Sequence, residues 1–188
     1  GYGPNLDIAV DPLEGTNFAA KNIPGAISVL AITEKGNLFN APETYMNKIA
    51  VGKDVPLDAT DLDYPLRKNI SNIAEAKNKK INELTVCILD RPRHKHIIDE
   101  LKLLNVNLNL ISDGDICGAL LVTDKKYNTD LFLGIGGGPE GVISASALDA
   151  YGCKFQGRFI FNTDQDKERA KKMGIKDLKK KIRIKRNS

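Results

Sequence analysis

A chain of 188 residues, 41% hydrophobic and 28% charged, has the size of about one domain (~100–200 residues) and a globular composition, which excludes disordered and fibrous polymers. Its longest apolar runs, Ile27 to Ile32 and Ile116 to Val122, fall well short of the roughly 20 residues of a bilayer span, and no basic-then-apolar leader is read at its start, so a cytoplasmic protein without a membrane partner is expected. The net charge of +4 is concentrated at one end: residues 167–188 hold 11 Lys/Arg against Glu168 and Asp177, while residues 1–166 sum to −5, an acidic body that speaks against a nucleic-acid partner and suits cation binding.

In chain order, hydrophobic patterning alternates strands with helices. Asp7 to Val10 reads as a short strand ending in a turn at Asp11-Pro12, and Ala26 to Thr33, apolar almost throughout and rich in β-branched residues, reads as a buried strand. Tyr45 to Val51 is a further strand. After a polar linker from Gly52 to Pro65, Leu66, Ile70, Ile73 and Ala74 recur at helical spacing. Leu84 to Leu89 is a buried strand leading into the loop Asp90 to His94, and Ile97, Ile98, Leu101 and Leu104 line one face of the next helix. Leu108 to Ile111 runs as a strand into Ser112-Asp113-Gly114-Asp115, and Leu131 to Ile135 runs as a strand into Gly136-Gly137-Gly138-Pro139-Glu140-Gly141. A helix rich in small residues follows from about Glu140 to Tyr151, with Gly152 placed to stop it, and Phe155 to Phe161 is the last strand. Thr163 and Asp166 match a capping box that opens a polar helix stopping at Gly174, and the residues beyond read as a solvated, frayed end.

The alternation implies an α/β architecture with helices on the sheet faces and ligands outside the carboxyl ends of strands. Because the chain starts Gly1-Tyr2-Gly3-Pro4 and enters a strand almost at once, it reads as beginning inside a domain. Residues 1–162 are its body, and residues 163–188 are a C-terminal helix and basic tail of the same domain. Cys87, Cys117 and Cys153 form neither a C-x-x-C nor a zinc pattern and are expected as reduced thiols.

The chemistry lies in the loops at strand ends. Asp11 and Glu14 flank a turn stiffened by Pro12, which can aim both carboxylates at one hard divalent cation such as Mg²⁺ or Mn²⁺. Gly15 and Thr16 would then offer a backbone N–H and a hydroxyl to a phosphate oxygen. Gly136-x-Gly138-x-x-Gly141 satisfies the dinucleotide fingerprint, yet Glu140 would set a negative charge where a pyrophosphate should bind, whereas a metal ion would accept it. Asp113, Gly114 and Asp115 offer acceptors to sugar hydroxyls, or form a simple Asx-type turn. Arg91, Arg93 and His94 around Pro92 supply cationic donors for a phosphate, or are solvated surface groups.

Together these segments resemble a known family. Asp11-Pro12-Leu13-Glu14-Gly15-Thr16-Asn17, Asn40-Ala41-Pro42-Glu43-Thr44-Tyr45-Met46, Arg91-Pro92-Arg93-His94, Asp113-Gly114-Asp115 and Gly136 to Val142, in that order, are similar to class II fructose-1,6-bisphosphatase, a bacterial type within the metal-dependent sugar and inositol phosphatase superfamily. The resemblance implies a layered α/β/α/β/α sandwich, incomplete in this chain. It implies Asp11, Glu14 and Glu140 as ligands of Mn²⁺ or Mg²⁺, and Asp11, Glu14 and Thr16 as catalytic. Glu14, Gly15 and Thr16 would touch the departing phosphate, and Tyr45, Arg91, Pro92, Arg93, Asp113, Gly114, Asp115 and Gly137 would hold the sugar and its distal phosphate. The implied reaction is hydrolysis of the 1-phosphate of fructose 1,6-bisphosphate in gluconeogenesis, with sedoheptulose 1,7-bisphosphate as a further substrate in some relatives; a homo-oligomer is compatible with it. The family carries further acidic ligands upstream of the Asp-Pro motif and continues past the present C-terminus, so these 188 residues alone are expected to be poorly active. Two other readings stay open: a nucleotide-dependent oxidoreductase using Gly136 to Gly141, and a non-catalytic protein whose basic tail binds anionic polymers.

Overall fold

A computed structural model describes residues 3–184 of the chain; Gly1, Tyr2 and the end of the basic tail lie outside the described residues. Two strands, β1 (Leu6–Glu14) and β2 (Ile27–Glu34), form an antiparallel ribbon joined through a short helix, α1 (Thr16–Ala20). β1 does not end at Asp11-Pro12 as patterning predicts. It continues to Glu14 through a bulge, because Asp11 pairs with Val29 but Glu14 with Ile27. Pro12 has no N–H for the ladder; its carbonyl accepts from Ser28 Oγ at 2.6 Å, and Asp11 Oδ1 accepts from Leu13 N at 3.0 Å.

The remaining strands, β3 (Tyr45–Val51), β4 (Thr85–Leu89), β5 (Asn107–Ile111), β6 (Leu131–Gly137), β7 (Lys154–Ile160) and β8 (Ile182–Arg183), lie in one mixed sheet in the order β5-β4-β6-β3-β7-β8. The helices are α2 (Leu66–Ala76), α3 (Lys95–Leu103), α4 (Asp115–Leu120), α5 (Gly138–Ala150) and α6 (Asp164–Lys172). Strand alternation sorts the core into two faces. Val86 and Ile88 of β4, with Ile49 and Val51 of β3, meet Ile70 and Ile73 of α2 and Ile98 and Leu101 of α3. Cys87, Met46, Ala50 and Phe132 turn the other way, onto Ala119 of α4 and Leu148 of α5.

Small residues let α5 lie close on the sheet: a Cβ on Gly141 would stand 2.6 Å from Met46 Sδ. Gly152 takes the left-handed conformation (φ +74) just past α5, and the Thr163–Asp166 capping box forms in both directions at the start of α6. The β1–β2 ribbon packs on the far side of α5. The layers therefore run α2/α3, six-stranded sheet, α4/α5, ribbon, which is a mixed α/β fold.

Two expectations are corrected here. β2 is not a buried strand: Leu30 and Ile32, with Ile8 and Val10 opposite them in register, form an apolar ladder on the ribbon's outer face that is more than half exposed, because only the other face meets α5. The basic end is not wholly frayed either. Residues 182–183 pair with Gln156 and Gly157 on the edge of β7, while Lys181 and Arg183 both donate to the Asp61 carboxylate. Burial works against the charge of Asp61, but hydrogen bonds from Lys181 and the Asp63 N–H, with the charges of Lys181 and Arg183, outweigh it and hold its carboxyl below the ordinary value.

With a depressed folded pKa, this carboxylate contributes stability that is present above the unfolded value near 3.8 and is lost as pH falls through the lower folded one. Asp61→Asn is therefore expected to cost about 1.5–3 kcal/mol near neutral pH, the range of a hydrogen bond to a charged group. It should also flatten the acid limb of stability, both read by urea titration against pH; an unchanged midpoint would contradict the anchoring of Lys181 and Arg183 by Asp61.

Candidate functional site

The parallel strands β4, β5 and β6 discharge their turns on one edge of the sheet, and Tyr45, first residue of the antiparallel β3, comes to that edge opposite Gly137. The Arg91-Pro92-Arg93-His94 turn follows β4, the Asp113-Gly114-Asp115 turn follows β5 and opens α4, and the glycine-rich turn follows β6 and opens α5.

The ribbon reaches the same edge through Glu14. This side chain is buried, and its carboxylate accepts the N–H groups of Ile116 and Cys117 at the start of α4, the latter at 3.2 Å. Burial raises the Glu14 pKa, and those two N–H groups only partly offset it. Beside it the Cys117 thiol is pushed up to about 12 by burial and the Glu14 charge, so it stays protonated. Gly15 adopts the left-handed conformation (φ +77), which swings the chain into α1 and presents Thr16 exposed at its first position. The next residue closes the link, since Asn17 N donates to Asp113 Oδ2 at 3.0 Å.

Asp113 also ties in the basic turn, its Oδ1 accepting from Arg91 at 3.1 Å. Arg93 donates through Nε to the Ile135 carbonyl at 2.8 Å and lays its guanidinium over the Tyr45 ring, 5.3 Å from the centroid. Pro92 opens the helical turn that separates the two arginines. His94 does not join them as a cationic donor, contrary to the sequence reading. It is wholly buried, and burial first, then the Arg93 charge, lowers its pKa, so the ring is neutral at neutral pH.

Asp115 pairs with Lys48, a fully buried lysine that shares its face of β3 with Met46 and Ala50 and whose stem passes beneath Gly141. The other Asp115 oxygen, Oδ1, is buried without a hydrogen-bond partner. The glycines of β6 make room for these acids: a Cβ on Gly136 would land on the Asp115 carboxylate, and one on Gly137 would land on that of Glu140. Glu140 thus occupies the space over Gly137 that a pyrophosphate would need, which argues against the dinucleotide reading. A cleft of about 340 Å³ beside it is lined by Glu43, Tyr45, Gly137 and Glu140.

The donors present suit a hard divalent ion in kind, being carboxylate oxygens with one buried and orphaned. Among the described residues, however, no three His, Cys, Asp or Glu side chains stand close enough to hold one ion, so Asp11, Glu14 and Glu140 do not close a cage by themselves. Asp11 stays on the ribbon with its local bond to Leu13. Sequence reasoning missed Lys48 as a group of the site. Its signal was there: a lone charge in a strand whose neighbours Met46, Ile49, Ala50 and Val51 are apolar on both faces.

A family model described as bacterial fructose-1,6-bisphosphatase, glpX-encoded, matches residues 1–186. Among curated proteins, the chain is 44% identical over 159 residues to the D-fructose 1,6-bisphosphatase class 2/sedoheptulose 1,7-bisphosphatase of Synechococcus sp. strain JA-3-3Ab, and 43% identical over 159 residues to the protein of that name from Synechococcus elongatus. Each match covers 85% of this chain and 46% of the relative, so the chain spans about half the length of the curated relatives it matches.

Because Lys48 is the buried counter-charge of Asp115, Lys48→Met should leave a carboxylate buried and unpaired and cost about 3–5 kcal/mol. The double variant Lys48→Met/Asp115→Asn should recover a large part of that loss. Chemical denaturation measures both; additive losses would contradict the pairing.

Proposed function

We propose that this chain, which belongs to the bacterial glpX-encoded fructose-1,6-bisphosphatase family, carries the sugar-phosphate half of a site for divalent-metal-dependent hydrolysis of the 1-phosphate of fructose 1,6-bisphosphate, a gluconeogenic step, with sedoheptulose 1,7-bisphosphate as the alternative substrate. The observation that carries the reading is the Asp113 carboxylate. One of its oxygens holds the Asn17 N–H at the ribbon end and the other holds Arg91, so the acidic Glu14–Thr16 segment and the basic turn share one edge.

In this reading Arg91 and Arg93 hold the distal phosphate, with Tyr45 bracing Arg93, and the Asp113–Asp115 turn accepts from sugar hydroxyls. Gly137 lines the cleft beside Tyr45 and leaves room for the Glu140 carboxylate. Thr16 and the Gly15 N–H orient the phosphate that departs, and Asp11, Glu14 and Glu140 are the chain's contribution to holding Mn²⁺ or Mg²⁺. When bound, such an ion neutralises phosphoryl oxygens and acidifies water. Glu14 is suited to its part because its carboxylate is already fixed at the start of α4. Cys87, Cys117 and Cys153 are not in disulfides, which fits a reducing, cytoplasmic setting.

The competing readings lack support. The family match and the Glu140 carboxylate over Gly137 disfavour a nicotinamide site, and Lys181 and Arg183 are engaged by Asp61 instead of forming a free cationic arm.

Titration calorimetry with fructose 6-phosphate should show binding by the chain that weakens about ten-fold in Arg93→Ala, the loss of one charge-assisted contact. Phosphate release from fructose 1,6-bisphosphate with Mn²⁺ should be weak, and Glu14→Gln should abolish what there is. Binding unaltered by Arg93→Ala would overturn the assignment of the basic turn.

A further inference from the structure

We propose that His94 is the positioning residue of the basic turn: a neutral imidazole, protonated on Nδ1, that holds the ends of β4 and β6 apart and thereby sets Arg91 and Arg93 to receive a phosphate. The proposal rests on the sugar-phosphate reading for its ligand, but its geometry stands on the backbone. Leu84 O accepts from Asn107 N and Asp90 N donates to Ile111 O, so even-numbered residues of β4 turn their amides toward β5 and odd-numbered ones, Leu89 included, toward β6. The β4–β6 pairing covers Val86 with Leu131 and Cys87 with Phe132. Carried forward, that register sets Leu89 opposite Gly134 and would join the Leu89 carbonyl to the Ile135 N–H.

The imidazole of His94 stands in the place of that bond. Ile135 N donates to Nε2 at 2.8 Å, and Nδ1 lies 2.7 Å from the Leu89 carbonyl. Nδ1 carries the hydrogen toward the Leu89 carbonyl; Nε2 lies near both the Ile135 N–H and, at 3.1 Å, the Ile135 carbonyl, and on a neutral ring already protonated at Nδ1 it takes the amide hydrogen, while Arg93 Nε serves that carbonyl. The ring thus relays one ladder bond across its own width. Gly134 is its seat: the backbone there has φ +151, and a Cβ would stand 3.2 Å from both Cε1 and Nε2.

The parting lies at the carboxyl ends of two parallel strands, the end of an α/β sheet where ligands collect. The same ring anchors the turn that carries both arginines. Arg93, adjacent to His94, donates to the carbonyl of the residue whose N–H the ring accepts, while Arg91 reaches across to Asp113. The charged groups bearing on the ring are Arg93 from its own turn and Asp115 from α4. His94 is wholly buried, so its action is exerted through the arginines and not on the ligand.

The test uses the whole chain, labelled with ¹⁵N. The imidazole spectrum should show the Nδ1–H tautomer, and the ring should titrate below the ordinary histidine value of about 6.5. His94→Leu should expose the Arg93 Nε–H to fast exchange and weaken fructose 6-phosphate binding about ten-fold, and His94→Gln, whose side-chain oxygen can accept from Ile135 N, should restore affinity to within about three-fold. A folded His94→Leu protein with native affinity and a protected Arg93 Nε–H would overturn the proposal, as would an Nε2–H tautomer. Should the wild type fail to bind fructose 6-phosphate, the sugar-phosphate reading falls, and Arg93 exchange alone decides: protection lost in His94→Leu supports the positioning role, protection kept refutes it. Gly134→Ala, which crowds the ring while keeping His94, covers the case of an unfolded His94→Leu chain. Loss of Arg93 protection in that variant supports the role, and its persistence refutes it.

Discussion

The structure turns on one contact between distant parts of the chain, the Glu14 carboxylate seated on the first N–H groups of α4. Among the described residues, the ribbon that carries Glu14 has no ladder to the six-stranded sheet and packs against α5. Without a fixed end, Asp11, Glu14 and Thr16 would move with a two-stranded ribbon, which has little stability of its own. The helix start provides that end, and Asn17 on Asp113 doubles it. The cost is a carboxylate held where burial disfavours its charge.

The opposite charge is arranged by equally local means. Lys48 is buried beneath Asp115 as its counter-charge, and Arg91 of the β4 turn pairs with Asp113, so cationic and acidic groups share one edge of the sheet. In the proposed reading a doubly phosphorylated sugar would use that pairing, with carboxylate oxygens toward a metal at one end and guanidinium groups toward the phosphate at the other. The glycines of β6 serve it sterically, since side chains at 136 and 137 would fill the volume that Asp115 and Glu140 occupy.

Much of this was readable from the residues. The alternation of strands and helices, the Gly152 stop, the Thr163 cap and the placement of the motifs at strand ends follow from periodicity and from turn and cap chemistry. What patterning missed has physical causes. α1 and α4 are too short to show a helical period, and α4 is instead marked by its carboxylate partner from far along the chain. The exposure of β2 depends on how many layers cover it, which no window of sequence reports. His94 reads as a cation beside two arginines, and only the parting of β4 and β6 shows it to be a buried spacer. Lys48 was detectable in principle, but its partner was not. The engagement of the basic end by Asp61 is likewise tertiary, linking charges 120 residues apart.

In the proposed reading, the ribbon end, the start of α4 and the glycine-rich turn form one cation-binding edge. Paramagnetic broadening of amide resonances by substoichiometric Mn²⁺ tests it most directly. The account predicts that residues 11–17, 113–117 and 136–141 broaden together and before any other carboxylate-bearing segment. Broadening that begins instead at the exposed acids of α6, Asp164 and Glu168, with residues 11–17 and 136–141 unaffected, would contradict it.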